Sequence, residues 1–173
     1  MRYIRTFENY NGSGIASLKN FLEAMSGFGS GMQKRIAQAK LSAIKPVKCV
    51  RVADAAGLDA VDDVKKYVRP KKKNCYANAL HAAQHIQGDV KYCEGWIIVG
   101  GLPIDHAFNK CGDMYFDVTE EFALGENPEN QEYAVVGEWD YSTALKIMAS
   151  GEYQCYGNVF EKEFISEHPE NIE

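Results

Sequence analysis

The chain lacks any apolar run approaching the roughly 20 residues that a membrane helix needs. Its opening, Met1 to Tyr10, has no apolar stretch of the kind a secretory signal carries. These absences predict a soluble protein with no membrane partner, located in the cytoplasm. It also lacks a basic surplus: 19 Lys and Arg face 24 Asp and Glu, giving a net charge of −5, which argues against a general nucleic-acid binder. Paired cysteines are missing too. The five thiols, Cys49, Cys75, Cys93, Cys111 and Cys155, lie far apart, so neither a zinc knuckle nor a redox dithiol is indicated, and reduced, mostly buried thiols are expected. No internal repeat or low-complexity tract interrupts the chain, and 173 residues with 46% apolar content suit one domain with a real core.

Two partial motifs lack what would complete them. Gly27 to Gly31 (GFGSG) has no preceding strand and no following GK[ST], so it reads as a helix connection and not as a phosphate loop. His81 and His85 are four apart, a spacing that can present two imidazoles to one metal. The carboxylate of an HExxH motif is absent, and no metal or other cofactor is expected. Cys93 and Cys111 read as strand and turn residues.

What is present is a succession of periodicities. Met1 to Pro46 reads as an extended start, a loop and two helices; the first carries Ile15, Leu18, Phe21, Leu22 and Met25 at helical spacing and ends at Gly27 and Gly29. Lys48 to Val52 suggests a short strand, and Asp54 an N-cap for a helix to about Val68, closed by Pro70. Asn74 then caps a helix from Cys75 to Gln87 that Gly88 stops. After it the period changes to that of strands: Tyr92 to Val99, Ile104 to Asn109 and Met114 to Val118, joined by GGLP and KCGD turns. Glu132 to Trp139 is a further strand, Asp140 caps a helix that Gly151 ends, and Val159 to about His168 forms the last helix before a frayed tail, Pro169 to Glu173. This order predicts a single α+β domain, with residues 1–46 a helical region and 47–173 a core in which a mainly antiparallel sheet packs on the Cys75 helix.

Cys75 is set apart by position. A cysteine is a nucleophile as thiolate, and the free N–H groups of a first helical turn stabilise that anion. Lys71, Lys72 and Lys73 stand just before it, with Lys65, Lys66 and Arg69 near, and their field is expected to lower its pKa further or to meet an acidic or phosphate-bearing substrate. A thiol nucleophile needs a histidine oriented by a carboxylate. An antiparallel hairpin with Lys110 to Asp113 as its loop would set Asn109 opposite Met114 and His106 opposite Asp117, within hydrogen-bond reach. A slip of two residues keeps the pair on one face, and a slip of one separates them. Both faces of that hairpin are partly apolar, so the sheet should be covered on both sides.

The motif order is similar to the core of transglutaminase-like proteins, within the broader papain-like class. CYANA at Cys75, EGWIIVGG, DHAFN and MYFDVT follow one another as that family's helix cysteine, GW-like strand, HAW-like histidine and DPT-like aspartate, from Asn74 to Thr119. Phe108 replaces the usual Trp, Val118 the usual Pro, and the short spacing from His106 to Asp117 demands a tight hairpin. The resemblance implies acyl transfer or amide hydrolysis through a thioester on Cys75, with His106 moving the proton and Asp117 fixing its tautomer. The Cys75 N–H would bind the oxyanion, with Asn74 and Trp96 as candidates for a second donor or substrate contact. Peptide, cell-wall and small-amide substrates stay open, as do hydrolysis and transamidation, and the oligomeric state is not readable. The alternative is a catalytically idle binding or virion-associated module, with aromatics such as Trp96, Tyr115, Trp139, Tyr153 and Tyr156 lining a partner surface. The opening MRYIRTFENY also resembles the leader of many small proteins of large tailed phages.

Overall fold

A computed structural model of the protein describes residues 14–28, 31–150 and 157–169. The expectations for the opening at 1–13, for Gly29 in the glycine stretch, for Gly151, Tyr153, Cys155 and Tyr156, and for most of the tail lie outside the described residues. Helices α1 (Gly14–Phe28) and α2 (Gly31–Ala43) come first, so Gly27 does not stop α1. Strands β1 (Lys45–Val47) and β2 (Cys49–Val50) follow, then α3 (Val52–Ala56) and α4 (Leu58–Asp63), the latter running into a π-helical turn, Val64–Val68. Helix α5 (Cys75–His85) leads to β3 (Val90–Val99), β4 (Leu102–Cys111) and β5 (Met114–Phe116). A second π-helical turn (Thr119–Leu124), a short 3-10 turn (Pro128–Asn130), β6 (Glu132–Trp139), α6 (Tyr141–Ala149) and α7 (Val159–Glu167) complete the order. No helix among the described residues is long and apolar enough to cross a membrane.

The fold is α+β, and its six strands run in the order β1-β6-β3-β4-β5-β2. All neighbours are antiparallel except β2 and β5, which are parallel. The two outer strands, β1 and β2, are separated in sequence by Lys48 alone. Edges one residue apart can belong to one sheet only if it curls round on itself. The sheet is therefore a roll. Alternation puts Cys93, Ile97, Phe108, Tyr133 and Val135, with Cys49, on the inner face, where they form a buried cluster. The outer face carries Tyr92, Trp96, Ile98, Ala107 and Phe116 and is covered by helices. Both faces are covered, one by helices and the other by the sheet itself.

Helix α5 fits closely because three of its four buried residues, Asn78, Ala79 and Ala82, are small, the fourth being Leu80, and Ala79 clusters with Tyr92 and Ala107. Asn109 of β4 donates to the Ala79 carbonyl at 2.8 Å, tying helix to strand. The helix expected from Asp54 differs. It begins at Val52, whose N–H is bound by the Glu121 carboxylate at 2.8 Å, a cap supplied from far along the chain, and Asp54 sits inside the first turn. Gly57, at φ 88 and ψ 170, breaks it into α3 and α4.

The β4–β5 hairpin also departs from its expected register. Cys111 pairs with Met114 across a two-residue turn in which Gly112 takes φ 57, so Asn109 faces Phe116 and not Met114. The slip is two residues, and it leaves His106 and Asp117 on the same, inner face.

Gly95 on β3 marks a bulge against β6, and a Cβ there would lie 1.9 Å from the Ala134 carbonyl oxygen. Since the obstacle is backbone, no rotamer relieves it. Gly95→Ala is expected to cost about 3 kcal/mol of unfolding free energy, read from urea denaturation. A loss near zero would mean that the close approach does not exist.

Candidate active site

Cys75 is the first residue of α5, and Asn74 occupies the cap position before it. Asn74 makes no side-chain cap, contrary to expectation. The ordering is done instead by Asn78, one turn on. Its amide accepts from the Lys71 N–H at 3.0 Å and donates to the Lys71 carbonyl at 2.8 Å and to Thr119 Oγ1 at 3.0 Å. The loop is thereby folded back on the helix it precedes. Lys73 enters the turn at φ 63, a left-handed conformation costing a non-glycine residue roughly 1 kcal/mol, which these bonds offset.

On the inner face of the roll, His106 Nε2 and Asp117 Oδ2 are 2.6 Å apart. Tyr133 of β6 donates its hydroxyl to the same carboxylate oxygen at 3.1 Å. The other oxygen accepts the N–H groups of Thr119 at 2.8 Å and Glu120 at 3.2 Å. Asp117 is 0% exposed, so an uncompensated charge there would be costly, and these donors supply the compensation. His106 lies beside Phe108 and Tyr133, each with ring centroids 6.4 Å away, which leaves its imidazole little freedom to turn.

Cys75 and His106 stand close enough that each shifts the other's ionisation. Because Nε2 is held by Asp117, the nitrogen left for sulfur is Nδ1. Burial by itself would lower the histidine pKa. The charge and hydrogen bond of Asp117, with the contact to Cys75, outweigh it and push the value up to about 10. For Cys75 burial opposes ionisation, yet the His106 hydrogen bond and charge, and backbone bonds from Ala107 and Tyr76, bring its pKa below the ordinary thiol value. A backbone group that stabilises a thiolate must be donating, so these are N–H groups. Both shifts run in the direction that favours a thiolate beside an imidazolium. Cys49 and Cys93, buried inside the roll, are pushed the other way by desolvation.

The Ala107 N–H can serve because β5 pairs only with Asn109 to Cys111 of β4, leaving the stretch before Asn109 without a strand on that side. The start of α5 meets the strand at this gap. The lysines expected to depress the Cys75 pKa are not among the groups that shift it. Lys71, Lys72 and Lys73 are exposed, and the backbone of Lys71 serves Asn78.

Trp96 stands apart from the thiol's hydrogen bonds. It is buried on β3 in the wall of a pocket that Tyr76 and Asp105 also line, with Lys40 Nζ 5.7 Å from its ring centroid. His85 stacks on Tyr67 at 5.8 Å and meets His81 edge-on at 6.3 Å. Among the described residues no group of three His, Cys, Asp or Glu side chains is placed to hold a metal. Cys93 is a core residue of β3, and Cys111 ends β4 at the turn.

Sequence reasoning missed Tyr133, Asn78, Thr119 and Glu94. Tyr133 reads as an ordinary strand aromatic, and no local signal links it to Asp117. Glu94 is a buried carboxylate that accepts the Val159 N–H at 2.9 Å, the Phe160 N–H at 3.2 Å and the Tyr92 hydroxyl at 2.7 Å, so β3 caps α7. A charged residue in the middle of the strongly apolar β3 was its only sequence signal. Comparison with protein-family models, curated proteins and solved structures finds no match to this chain.

The thiolate is expected above the lowered Cys75 pKa and is lost as pH falls through it. The difference in ultraviolet thiolate absorbance between the native chain and Cys75→Ser isolates this group. Its midpoint should lie below the usual thiol value of about 8.5. In His106→Ala the counter-charge is gone while burial remains, so the midpoint should rise above that value. A midpoint indifferent to His106→Ala rules out the ion pair.

Proposed function

We propose that the protein is a thiol acyl hydrolase or acyltransferase that acts on an amide bond through a thioester on Cys75, with a transglutaminase-like or papain-like core. The observation that carries this reading is one constellation. A cysteine at a helix start lies beside a histidine that is itself held 2.6 Å from a buried carboxylate. A buried His–Asp pair alone would serve packing equally well. The lowered thiol pKa next to the raised histidine pKa is what favours chemistry.

In the mechanism, the Cys75 thiolate attacks the substrate carbonyl carbon, forming the C–S bond and an oxyanion. The Cys75 N–H lies at a helix start where such groups have no intrahelical partner, and it binds that oxygen. The Asn74 side chain, not spent on a cap, is the candidate second donor. As the oxyanion collapses the C–N bond breaks, and the proton on His106 Nδ1 passes to the departing amine. Neutral His106 then takes a proton from water, or from an acceptor amine, as its oxygen or nitrogen attacks the thioester. Collapse releases the acyl product, returns the thiolate and leaves His106 protonated. Asp117 stays ionised throughout and holds the imidazole in place. Trp96 belongs to the substrate wall in this reading.

Near pH 7, iodoacetamide should label Cys75 faster than Cys49, Cys93, Cys111 and Cys155, as mapped by peptide mass analysis. With p-nitrophenyl acetate as a generic acyl donor, intact mass should show one acetyl group, absent in Cys75→Ser. Asp117→Asn should slow its turnover about 10²-fold or more, since the base loses its orienting charge. Equal, sluggish labelling of all the thiols would favour an idle binding module of the same fold.

A further inference from the structure

The pocket beside the nucleophile does not end there. Its walls include Tyr76, the residue after Cys75, and Gly95, which pairs with His106 across β3 and β4. Lys40, Trp96, Asp105 and Glu161 also line it, and the same four residues line a second cavity of about 260 Å³. The two cavities share that wall and together form the groove, whose inner end at Tyr76 and Gly95 is small, about 20 Å³, and whose outer end has a floor made by Leu22 and Met25 of α1 and Ile36 and Ala37 of α2.

The groove changes chemistry along its length. The inner part is acidic, with Glu94, Asp105 and Glu161 facing one lysine. Glu94 is occupied in capping α7, and Lys40 is paired with Glu161. Asp105 is exposed and forms no ion pair among the described residues, so the junction keeps one uncompensated negative charge. The outer part sets an apolar floor of Phe21, Leu22, Met25, Ile36 and Ala37 beside Gln33 and the shared charged residues, and Met25 is 36% exposed where a core residue of α1 such as Leu18 is 0%. Its size is that of a large side chain or a short acyl chain rather than a whole ligand.

Resting on the acyl-transfer reading of Cys75, we infer that this groove selects the substrate: an amide whose acyl half carries a large apolar group, seated between α1 and α2, and no carboxylate near Asp105. The apolar group contributes the affinity by leaving water. Asp105 accepts an N–H beside the scissile amide and repels acidic substituents. Helices α1 and α2 thereby become the specificity wall of the site. The Lys40–Glu161 pair, which bridges α2 to α7, fixes the width of the junction.

The test uses iodoacetamide and three N-substituted iodoacetamides bearing phenethyl, butyl or carboxyethyl groups. Second-order alkylation rates at Cys75 are measured in the full chain. Each rate is divided by that of plain iodoacetamide, which cancels any change in thiolate content. Phenethyl is expected to exceed plain iodoacetamide by about tenfold and butyl by less, as burial of one apolar group implies. Carboxyethyl should fall below it, and Asp105→Asn should restore part of its rate. Met25→Glu and Ile36→Glu place charge on the groove floor at positions that are not fully buried, and should abolish the phenethyl preference while the plain rate holds. An unchanged plain rate also shows that the variant is folded. If Cys75 reacts faster than the other thiols but ignores the substituent, or keeps its preference in both floor variants, the groove assignment fails and the catalytic reading stands. If Cys75 is no faster than the other thiols with plain iodoacetamide, that reading fails and the groove assignment goes with it.

Discussion

A carboxylate with no solvent exposure has to be neutralised where it stands, and the candidate site is organised around meeting that demand at Asp117. Its partners come from separate parts of the chain: the imidazole from β4, a phenol from β6, and two backbone N–H groups from the turn that follows it. Remove any one and the others lose part of their reason to be buried. The demand also passes outward. Asp117 holds Thr119, Thr119 accepts from Asn78, and Asn78 pins the loop before Cys75, so the hydrogen bonds that neutralise the charge also reach the helix start that carries the thiol.

The curled sheet makes this arrangement possible. The base and its orienter face the inside of the roll among Phe108 and Tyr133, whereas the helix bearing the nucleophile packs on the outside. An inner and an outer group can touch only at a break in the sheet. Strand β5 supplies that break by pairing with three residues of β4 and then turning away. The amide it leaves unpaired, that of Ala107, donates to the thiol. A longer β5 would add ladder hydrogen bonds and close the gap, so in the acyl-transfer reading some sheet stability is given up for contact between sulfur and imidazole.

The distribution of charge follows the same geometry. A thiolate at Cys75 would be favoured by the neighbouring imidazole and by nearby N–H groups, which act at short range in a medium that screens them little. The exposed lysines before Cys75 face water, where their field is screened, and they do not rank among the leading causes of the thiol's shift. Glu94 shows the reverse case, in which one carboxylate inside an apolar strand anchors the last helix.

Local rules sufficed for the helix that begins at Cys75, for the strands around Trp96 and His106, and for the face shared by His106 and Asp117, because periodicity and an even register slip are properties of neighbouring residues. The same rules could not place the tertiary cap of Val52 by Glu121, the pinning of the Lys71 loop by Asn78, or the hydroxyl of Tyr133 on Asp117. Each joins residues whose separation in sequence carries no signal until the chain closes. The approach of β1 and β2 around the roll is of that kind as well, and so is the meeting of α1, α2 and α7 with β3 around two cavities that share Lys40, Trp96, Asp105 and Glu161. The sequence by itself determined which face of a strand or helix the candidate residues occupy. Only the tertiary structure decided that Cys75 stands beside the His106–Asp117 pair, because that depends on where the sheet curls and where one strand stops.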